Sequence, residues 1–142
     1  MTPQIDYRAV FKSLPGPTAL LDPRFVIIDA NQSYLETAGR TLDQVVGHNF
    51  LDAFPENPAD PDDTGPRDLR ASLQAVLDSG ERDVMNVTRY DTQDPDRPGV
   101  FEERYWVVVN APLCDDVGNV DVIILKAEEV THLVRQARVV NC

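Results

Sequence analysis

The order of strand-like and helical runs predicts a segregated α+β fold, a five-stranded antiparallel sheet with short helices packed on one face. Two strand-like runs lie near the start of the chain, within residues 18–28, and three more lie within residues 83–126. Helical patterns fill the stretch between them. Because helices and strands do not alternate one by one, the chain does not match a parallel βαβ repeat.

A short helix and a β-hairpin are predicted at the start of the chain. Apolar residues recur at helical spacing from Tyr7 to Leu14, and a Pro-Gly-Pro sequence at residues 15–17 ends the segment. We therefore assign residues 1–17 to an N-terminal helix or cap. Residues 18–21 and 25–28 are β-rich and are joined by an Asp-Pro-Arg turn, which predicts two neighbouring antiparallel strands.

Short helices are predicted after this hairpin. Asp29 or Asn31 can cap a helix over residues 32–38, because a short side-chain oxygen can accept hydrogen bonds from the free N–H groups of a first turn. Two more short helices are predicted over residues 41–46 and 48–54. We expect these helices to cover one face of a sheet.

The second half of the chain supplies one longer helix and the remaining strands. Residues 56–67 are rich in proline and aspartate and are predicted to form a loop. An amphipathic helix is predicted over residues 68–77, ending near Gly80. Residues 91–99 are a polar connector. The last three strands are predicted at residues 83–90, 100–113 and 120–126.

Composition narrows the classes of function. A chain of 142 residues with 42% hydrophobic residues forms one domain with a core. The formal net charge of −11 argues against binding to phosphate backbones, so no nucleic-acid partner is expected. The start lacks a signal-peptide pattern, and the apolar runs are far shorter than the about 20 residues of a membrane span. We expect no membrane segment and a cytoplasmic location.

Several joints between these elements carry a characteristic set of residues. They are Phe25–Asn31 (FVIIDAN), Tyr34-Leu35, Gly39, Val46–Phe50 (VGHNF), Asn110–Pro112 (NAP), Gly118 and Glu129–Thr131 (EVT). Taken in this order, the joints resemble the PAS domain family over residues 6–134. The loop Phe54–Pro61 (FPENPADP) and the run Phe101–Trp106 (FEERYW) are similar to those of PAS sensor domains in bacterial sensor histidine kinases. The resemblance implies a PAS fold and assigns residues 18–131 to the domain.

In such a fold the helices and the sheet enclose an apolar cavity that can hold a ligand. Side chains alternate along a strand, and the resemblance selects the face that contains Trp106 and Ile123. Trp106 and Asn110 can stack on and hydrogen-bond a planar ligand; the alternative is a core tryptophan and an amide that satisfies local backbone. The candidate pocket residues are Tyr34, Phe50, Phe54, Arg104, Trp106, Val108, Asn110, Ile123 and Leu125.

The opposite face of the sheet and the C-terminal segment are predicted to carry a signal outwards. Residues 132–142 have apolar residues at helical spacing and are assigned to the start of a signalling helix. The resemblance implies that Glu129 and Thr131 relay the signal into it. The outer face is apolar, which motivates a homodimer. The candidate dimer-face residues are Tyr105, Val107, Val109, Val122 and Ile124.

No cofactor can be assigned from the sequence. Flavin–cysteinyl photochemistry is disfavoured because Phe50 stands where the photosensor pattern has cysteine, and haem is disfavoured because residues 67–80 contain no histidine. Asp60, Asp62 and Asp63 lack the spacing of a metal loop and are predicted to form a solvated acidic loop.

Cysteine and carboxylate chemistry is also not indicated. Cys114 and Cys142 match no metal or disulfide pattern and are expected to be free thiols. Glu102 and Glu103 point to opposite faces of one strand, and no glycine-rich phosphate loop is present, so catalysis within this chain is not expected.

Two functions remain open. The first is a sensory and dimerisation module of a bacterial two-component protein, with a histidine kinase domain in cis beyond Cys142, because the chain stops where a linker helix should begin. The second is a stand-alone small-molecule-binding protein, or a small enzyme, that uses the same cavity.

Overall fold

Helices and strands follow the predicted segregated order in the computed structural model, which describes residues 3–140. The elements are α1 (Tyr7–Ser13), β1 (Thr18–Leu21), β2 (Ile27–Ala30), α2 (Gln32–Ala38), α3 (Leu42–Val45), α4 (Phe50–Ala53), α5 (Gly65–Ser79), β3 (Asp83–Arg89), β4 (Thr92–Gln93), β5 (Phe101–Glu102), β6 (Tyr105–Cys114), β7 (Val120–Glu129) and α6 (Thr131–Val140).

Five strands form one antiparallel sheet in the order β2-β1-β7-β6-β3. The first strand of the chain therefore pairs with the last, with Ala19 opposite Leu125. The sheet and helices α2 to α5 enclose the core. The predicted fold class is confirmed. The larger buried apolar residues are Leu21, Ile27, Tyr34, Val45, Phe50, Phe54, Leu69, Leu73, Val76, Met85, Val108, Ile123 and Leu125.

The β6–β7 hairpin is the longest ladder of the sheet. Its register runs from Trp106 opposite Glu129 to Cys114 opposite Val120. Asp115 closes the turn, because its carboxylate accepts hydrogen bonds from the backbone N–H groups of Val117 and Asn119. Cys114 is exposed at the end of β6, while Cys142 lies outside the described residues.

The strand predicted over residues 100–113 is wrong as one continuous element. It is divided into β5 and β6 at Glu103 and Arg104. The segment predicted as a connector contains β4, which pairs with β5 in a separate two-stranded sheet. Asp94 N–H donates to the Val100 carbonyl and closes this small hairpin, so the chain turns back before it enters the main sheet.

Strand β2 and helix α5 also begin at other residues than predicted. Strand β2 begins at Ile27 because Phe25, with a φ of 70°, belongs to the turn that the Asp22 carboxylate organises. Helix α5 begins at Gly65, three residues before the predicted start. Pro66 fits the first turn of a helix, where its missing N–H would have no intrahelical partner in any case.

Asn31 ties the first strand to the first helix of the core. Its side chain is fully buried, and its Oδ1 accepts hydrogen bonds from the backbone N–H groups of Thr18 and Tyr34. Its Nδ2 donates to the Gly16 carbonyl at 2.8 Å. Of the two predicted caps, Asn31 is therefore the one used, and Asp29 instead pairs with Lys12 of α1.

Replacing Asn31 with alanine should lower the free energy of unfolding by about 3 kcal/mol, because buried backbone groups of two elements lose their partners. Asn49→Ala is the matched control, since Asn49 caps the short helix α4 and donates to the Arg24 carbonyl from a partly exposed position, and about 1 kcal/mol is expected there. Urea unfolding of both variants measures the difference. Equal losses would contradict the central role of Asn31.

Candidate functional site

An apolar cavity lies between the helices and the inner face of the sheet. Its volume is about 50 Å³. An engineered cavity of about 150 Å³ binds benzene, so this space is too small for an organic ligand unless side chains are displaced. The lining residues are Pro17, Tyr34, Thr37, Ala38, Phe50, Phe54, Leu69, Met85, Thr88, Tyr90, Thr92, Trp106, Val108, Leu125 and Ala127.

Most of the candidate pocket residues lie in this lining. They are Tyr34, Phe50, Phe54, Trp106, Val108 and Leu125. Asn110 and Ile123 are fully buried but lie outside the lining. Arg104 also lies outside it, because its guanidinium pairs with Glu102 at 2.9 Å and with Glu129 at 2.8 Å.

Sequence reasoning missed the contribution of β3 and the segment after it. Met85, Thr88 and Tyr90 line the cavity although strict alternation would not bring the first two to the same face. A register shift between Met85 and Thr88 turns both side chains inward. No sequence signal marks this bulge.

The aromatic side of the cavity is a packed cluster. Phe50 and Phe54 lie 4.9 Å apart between ring centroids, and Tyr34 meets Phe54 edge to face at 6.2 Å. Tyr90 meets Phe50 edge to face at 6.3 Å. Such pairs favour offset or edge contacts, which fixes the ring orientations and gives the cavity a rigid wall.

The polar side-chain atoms of Trp106 and Tyr90 are engaged within the protein. The Trp106 indole N–H donates to the Tyr90 carbonyl at 2.9 Å, and the Tyr90 hydroxyl donates to the Phe54 carbonyl at 2.6 Å. Trp106 therefore offers a ligand its ring and not its N–H group. Burial raises the pKa of Tyr90 and of Tyr34 well above the ordinary value, and Arg40 partly opposes the shift at Tyr34. Both phenols are neutral at physiological pH.

A second, polar cavity of about 210 Å³ adjoins the first and shares Ala38 and Thr92 with it. Arg40 lines the second cavity. Its guanidinium donates to the Gln93 carbonyl and stands 5.5 Å from the centre of the Phe54 ring. Burial lowers the pKa of Arg40, while Tyr34 and Asp94 act in the opposite direction. The apolar cavity thus has a charged neighbour on the side of the β4–β5 hairpin.

The end of the sheet joins the C-terminal helix beside the cavity. The Tyr105 N–H donates to the Thr131 hydroxyl at 3.0 Å, and the Val130 N–H donates to the Tyr105 carbonyl at 2.8 Å. Glu129 stands opposite Trp106 in the ladder and pairs with Arg104. The two candidate relay residues and Arg104 therefore meet at this junction.

Helix α6 makes a second contact with strand β6. The Arg138 guanidinium donates to the Tyr105 hydroxyl at 2.6 Å and to the Glu103 carboxylate at 3.3 Å. It also stands 5.2 Å from the centre of the Tyr105 ring. These contacts hold the helix over the end of β6, while Leu133 remains exposed.

The outer face of the sheet is apolar. The candidate dimer-face residues Tyr105, Val107, Val109, Val122 and Ile124 are all partly buried. Val84 stands opposite Val109 and Leu113 stands opposite Val122, so the same face continues onto exposed valine and leucine side chains. Lys126, which is exposed, interrupts it and pairs with Glu128.

The acidic loop before α5 is more ordered than the predicted solvated loop. Asp63 is buried and accepts hydrogen bonds from the backbone N–H groups of Gly65 and Asp91. Burial raises the pKa of Asp63, and these two N–H groups oppose the shift. Asp60 pairs with Arg89, and Asp62 is exposed.

Arg89 is the centre of this cluster and was not singled out by sequence reasoning. Its guanidinium binds the buried Asp91 carboxylate through Nε and Nη2, both at 2.9 Å, and it also contacts Asp60 and Glu103. The hydrogen bond to Asp91 raises the pKa of Arg89 above its ordinary value. Since Glu103 also contacts Arg138, charged groups extend from the acidic loop to α6.

Comparison with known proteins agrees with this architecture. A family model described as PAS fold matches residues 11–135. Among solved structures, the chain is similar to an RNA-binding Light-Oxygen-Voltage receptor, with a TM-score of 0.67 and 17% identity over 90% of this chain and 33% of that chain. None of the curated proteins compared with the chain matches it.

Two more solved structures match at nearly their full length. The PAS domain of a protein from Colwellia psychrerythraea has a TM-score of 0.67 and 11% identity over 89% of this chain and 95% of that chain. The PAS domain from Bordetella pertussis BvgS has a TM-score of 0.61 and 21% identity over 95% of this chain and 93% of that chain. At these identities the likeness concerns the fold. The chain spans about a third of the Light-Oxygen-Voltage receptor.

Arg89→Met should lower the free energy of unfolding by about 3 kcal/mol, because Asp91 would remain buried without its cation. The control is Arg97→Met, whose guanidinium is 70% exposed and forms an exposed pair with Asp94, so less than about 1 kcal/mol is expected. Chemical unfolding of the two variants gives the comparison.

The same variant tests the electrostatics of the loop. The hydrogen bond from Arg89 lowers the pKa of Asp60, so stabilisation by this carboxylate is present above the unfolded pKa of about 4 and is lost as the pH falls through the lowered folded value. In Arg89→Met the pKa of Asp60 should rise towards its ordinary value in an NMR titration. An unchanged pKa would show that Arg89 does not control this group.

Proposed function

The chain belongs to the PAS-fold family of signalling and sensory domains, and we propose that it senses a small ligand in its apolar cavity and relays binding through α6. In this proposal the chain is the cytoplasmic sensor and dimerisation part of a bacterial two-component histidine kinase. We further propose that an output domain follows in cis beyond Cys142 and that catalysis belongs to that domain.

One observation carries the proposal: strand β6 both contributes to the cavity wall and contacts the C-terminal helix α6. Trp106 lines the cavity, while its neighbour Tyr105 binds Thr131 through the backbone and Arg138 through the side chain. A ligand that moves the Trp106 ring must move the backbone of β6 or strain the hydrogen bond to the Tyr90 carbonyl. A shift of the β6 backbone would reach the first turn of α6 through the hydrogen bond from Tyr105 N–H to Thr131.

The junction between the sheet and α6 suits a relay because it combines a buried hydrogen bond with an ion pair. Thr131 is buried, so loss of its hydrogen bond with Tyr105 N–H leaves a polar group without a partner. The Arg104–Glu129 pair joins the residue before β6 to the last residue of β7. Small displacements at such a junction shift α6 between discrete positions, since packed contacts do not deform continuously.

The outer face supports a second copy of the chain as partner. Val84 and Leu113 are 63% and 53% exposed and adjoin the partly buried valines of β6 and β7. A contiguous apolar face of this kind marks an interaction surface. In such a homodimer the two α6 helices would begin at the ends of the central strands β7, where they could pair and continue into the output domain.

The assignment to sensor kinases rests on two sequence features with structural roles. The Phe54–Pro61 loop supplies Asp60 to Arg89, and the Phe101–Trp106 run supplies Arg104 and Trp106 to the junction and the cavity. These are the segments that resemble PAS domains of bacterial sensor histidine kinases. A reading frame that continues into a phosphoacceptor histidine and an ATP-binding domain supports this assignment, and a stop at Cys142 favours the stand-alone binding protein.

Filling the cavity should alter α6. In Ala127→Leu, a side chain that lines the cavity is enlarged, and faster amide hydrogen exchange is expected at Tyr105 and in the first turn of α6. The chain has one tryptophan, so Trp106 fluorescence reports independently that the cavity has changed.

Thr131→Val tests whether the junction transmits this change. The variant loses the acceptor for the Tyr105 N–H, so amide hydrogen exchange in its α6 should already be fast. Adding Ala127→Leu should not accelerate this exchange further. A changed Trp106 fluorescence with unchanged exchange at α6 in the single variant would argue against the relay.

In light scattering, the molar mass of the wild-type chain should rise with concentration towards that of a dimer. Val109→Glu places a charge in the apolar face and should give a monomer. Val117→Glu is the control, because Val117 is 80% exposed at the tip of the last hairpin, and this variant should behave as wild type. A concentration-independent monomer mass for the wild type would contradict the dimer.

A further inference from the structure

Asn110 contains a buried hydrogen-bond acceptor without a partner. The side chain has no exposed surface, and among the described residues its Oδ1 and the Nε of Arg104 are the buried side-chain polar atoms that lack a hydrogen bond. The Arg104 guanidinium is already held by two carboxylates. An unpaired buried acceptor lowers stability by about 1–3 kcal/mol, so its presence in a core requires an explanation.

A chain of hydrogen bonds fixes the orientation of this amide. The Ser72 hydroxyl donates to the Asp83 carboxylate, which is an acceptor. The Ser72 oxygen is then free to accept from Asn110 Nδ2, at 2.9 Å. The second N–H of Nδ2 faces the Met85 sulfur at 3.9 Å. Turning the amide would place Nδ2 away from both acceptors, so Oδ1 stays unpaired.

The amide lies directly behind the cavity wall. Asn110 stands opposite Leu125 in the ladder, follows Val108 on the same face of β6, and contacts Met85. These three neighbours all line the cavity. Met85 is the flexible member of the three, because an unbranched thioether side chain changes rotamer readily. Displacement of Met85 would enlarge the small cavity towards the Asn110 amide, whose Nδ2 would keep its hydrogen bond to Ser72.

We infer that Asn110 Oδ1 is the polar anchor of the ligand site, and that the ligand is a small, uncharged, mainly apolar molecule with one hydroxyl or N–H donor. The inference rests on the proposed use of the cavity for ligand binding. The ring of the ligand lies against Trp106 and the aromatic cluster, its donor meets Asn110, and Met85 moves aside.

The cavity wall favours this chemical class over others. The indole N–H of Trp106 and the hydroxyl of Tyr90 are already engaged, so these two side chains present apolar surface to the ligand. Thr88 likewise donates its hydroxyl to the Asn86 carbonyl. A charged donor would lose its hydration without a counter-charge in the lining, which is strongly unfavourable. One neutral donor on the ligand matches the neutral acceptor Asn110 Oδ1.

Phenol and toluene are suitable probes, because they have nearly the same shape and only phenol carries a donor. Their dissociation constants are measured by NMR titration of the whole chain, and the ratio of the two constants is compared between variants. The difference in hydration between the two probes is the same for every variant, so it cancels when the ratios are compared. Asn110→Leu should reduce the preference for phenol about tenfold, the effect expected for one lost buried hydrogen bond.

Thr88→Val is the matched control, since Thr88 lines the same cavity but its hydroxyl is engaged, and its ratio should equal that of the wild type. Ser72→Ala releases the Asn110 amide and should also reduce the preference for phenol. In the wild type, phenol but not toluene should shift the side-chain carbonyl resonance of Asn110, a measurement that does not depend on the folding of any variant.

Each outcome is decisive. Binding of both probes with the same ratio in wild type and Asn110→Leu overturns the role of Asn110 and leaves the cavity as a ligand site. Binding of neither probe to the wild type overturns both the role of Asn110 and the use of the cavity. A reduced ratio in Asn110→Leu, with an unchanged ratio in Thr88→Val, supports the inference.

Discussion

The structure depends on the alternation of side chains along β6. Successive residues of a strand point to opposite faces, so Trp106 and Val108 enter the cavity while Tyr105, Val107 and Val109 form the outer surface. The backbone between them has no intervening layer that could absorb a displacement. The cavity wall, the outer apolar face and the contact with α6 are therefore one residue apart. A change of register by one position would exchange all of these roles at once.

Much of the fold could be predicted because local and long-range preferences agree. The cap at Asn31, the glycine turns and the alternation of the last hairpin each specify their elements independently. The errors lie where a local sequence pattern is compatible with two structures. A run with strong strand character divides at Glu103 because the β4–β5 hairpin competes for its first residues, and Pro66 belongs to a helix although its neighbours have loop composition.

The candidate site was less accessible to sequence reasoning, and the reason is geometric. Alternation along β6 and β7 brings Trp106, Val108 and Leu125 to the cavity, but the bulge in β3 follows no residue pattern and adds Met85 and Thr88. Arg104 shares the face of Trp106 by alternation alone, yet two carboxylates on neighbouring strands hold it at the exit. Charge pairs between distant residues, such as Arg89 with Asp60, likewise depend on the completed fold.

The pairing of β1 with β7 has a consequence for how the chain folds. Thr18 stands opposite Lys126, so this ladder joins residues about as far apart in sequence as the domain allows. Closing so large a loop is entropically unfavourable, and domains rich in such contacts fold slowly. During synthesis the β1–β2 hairpin must wait, with one edge unpaired, until almost the whole domain has left the ribosome. The domain is thus expected to fold after translation of β7, and the apolar edge of β1 is the segment that is open to wrong pairing until then.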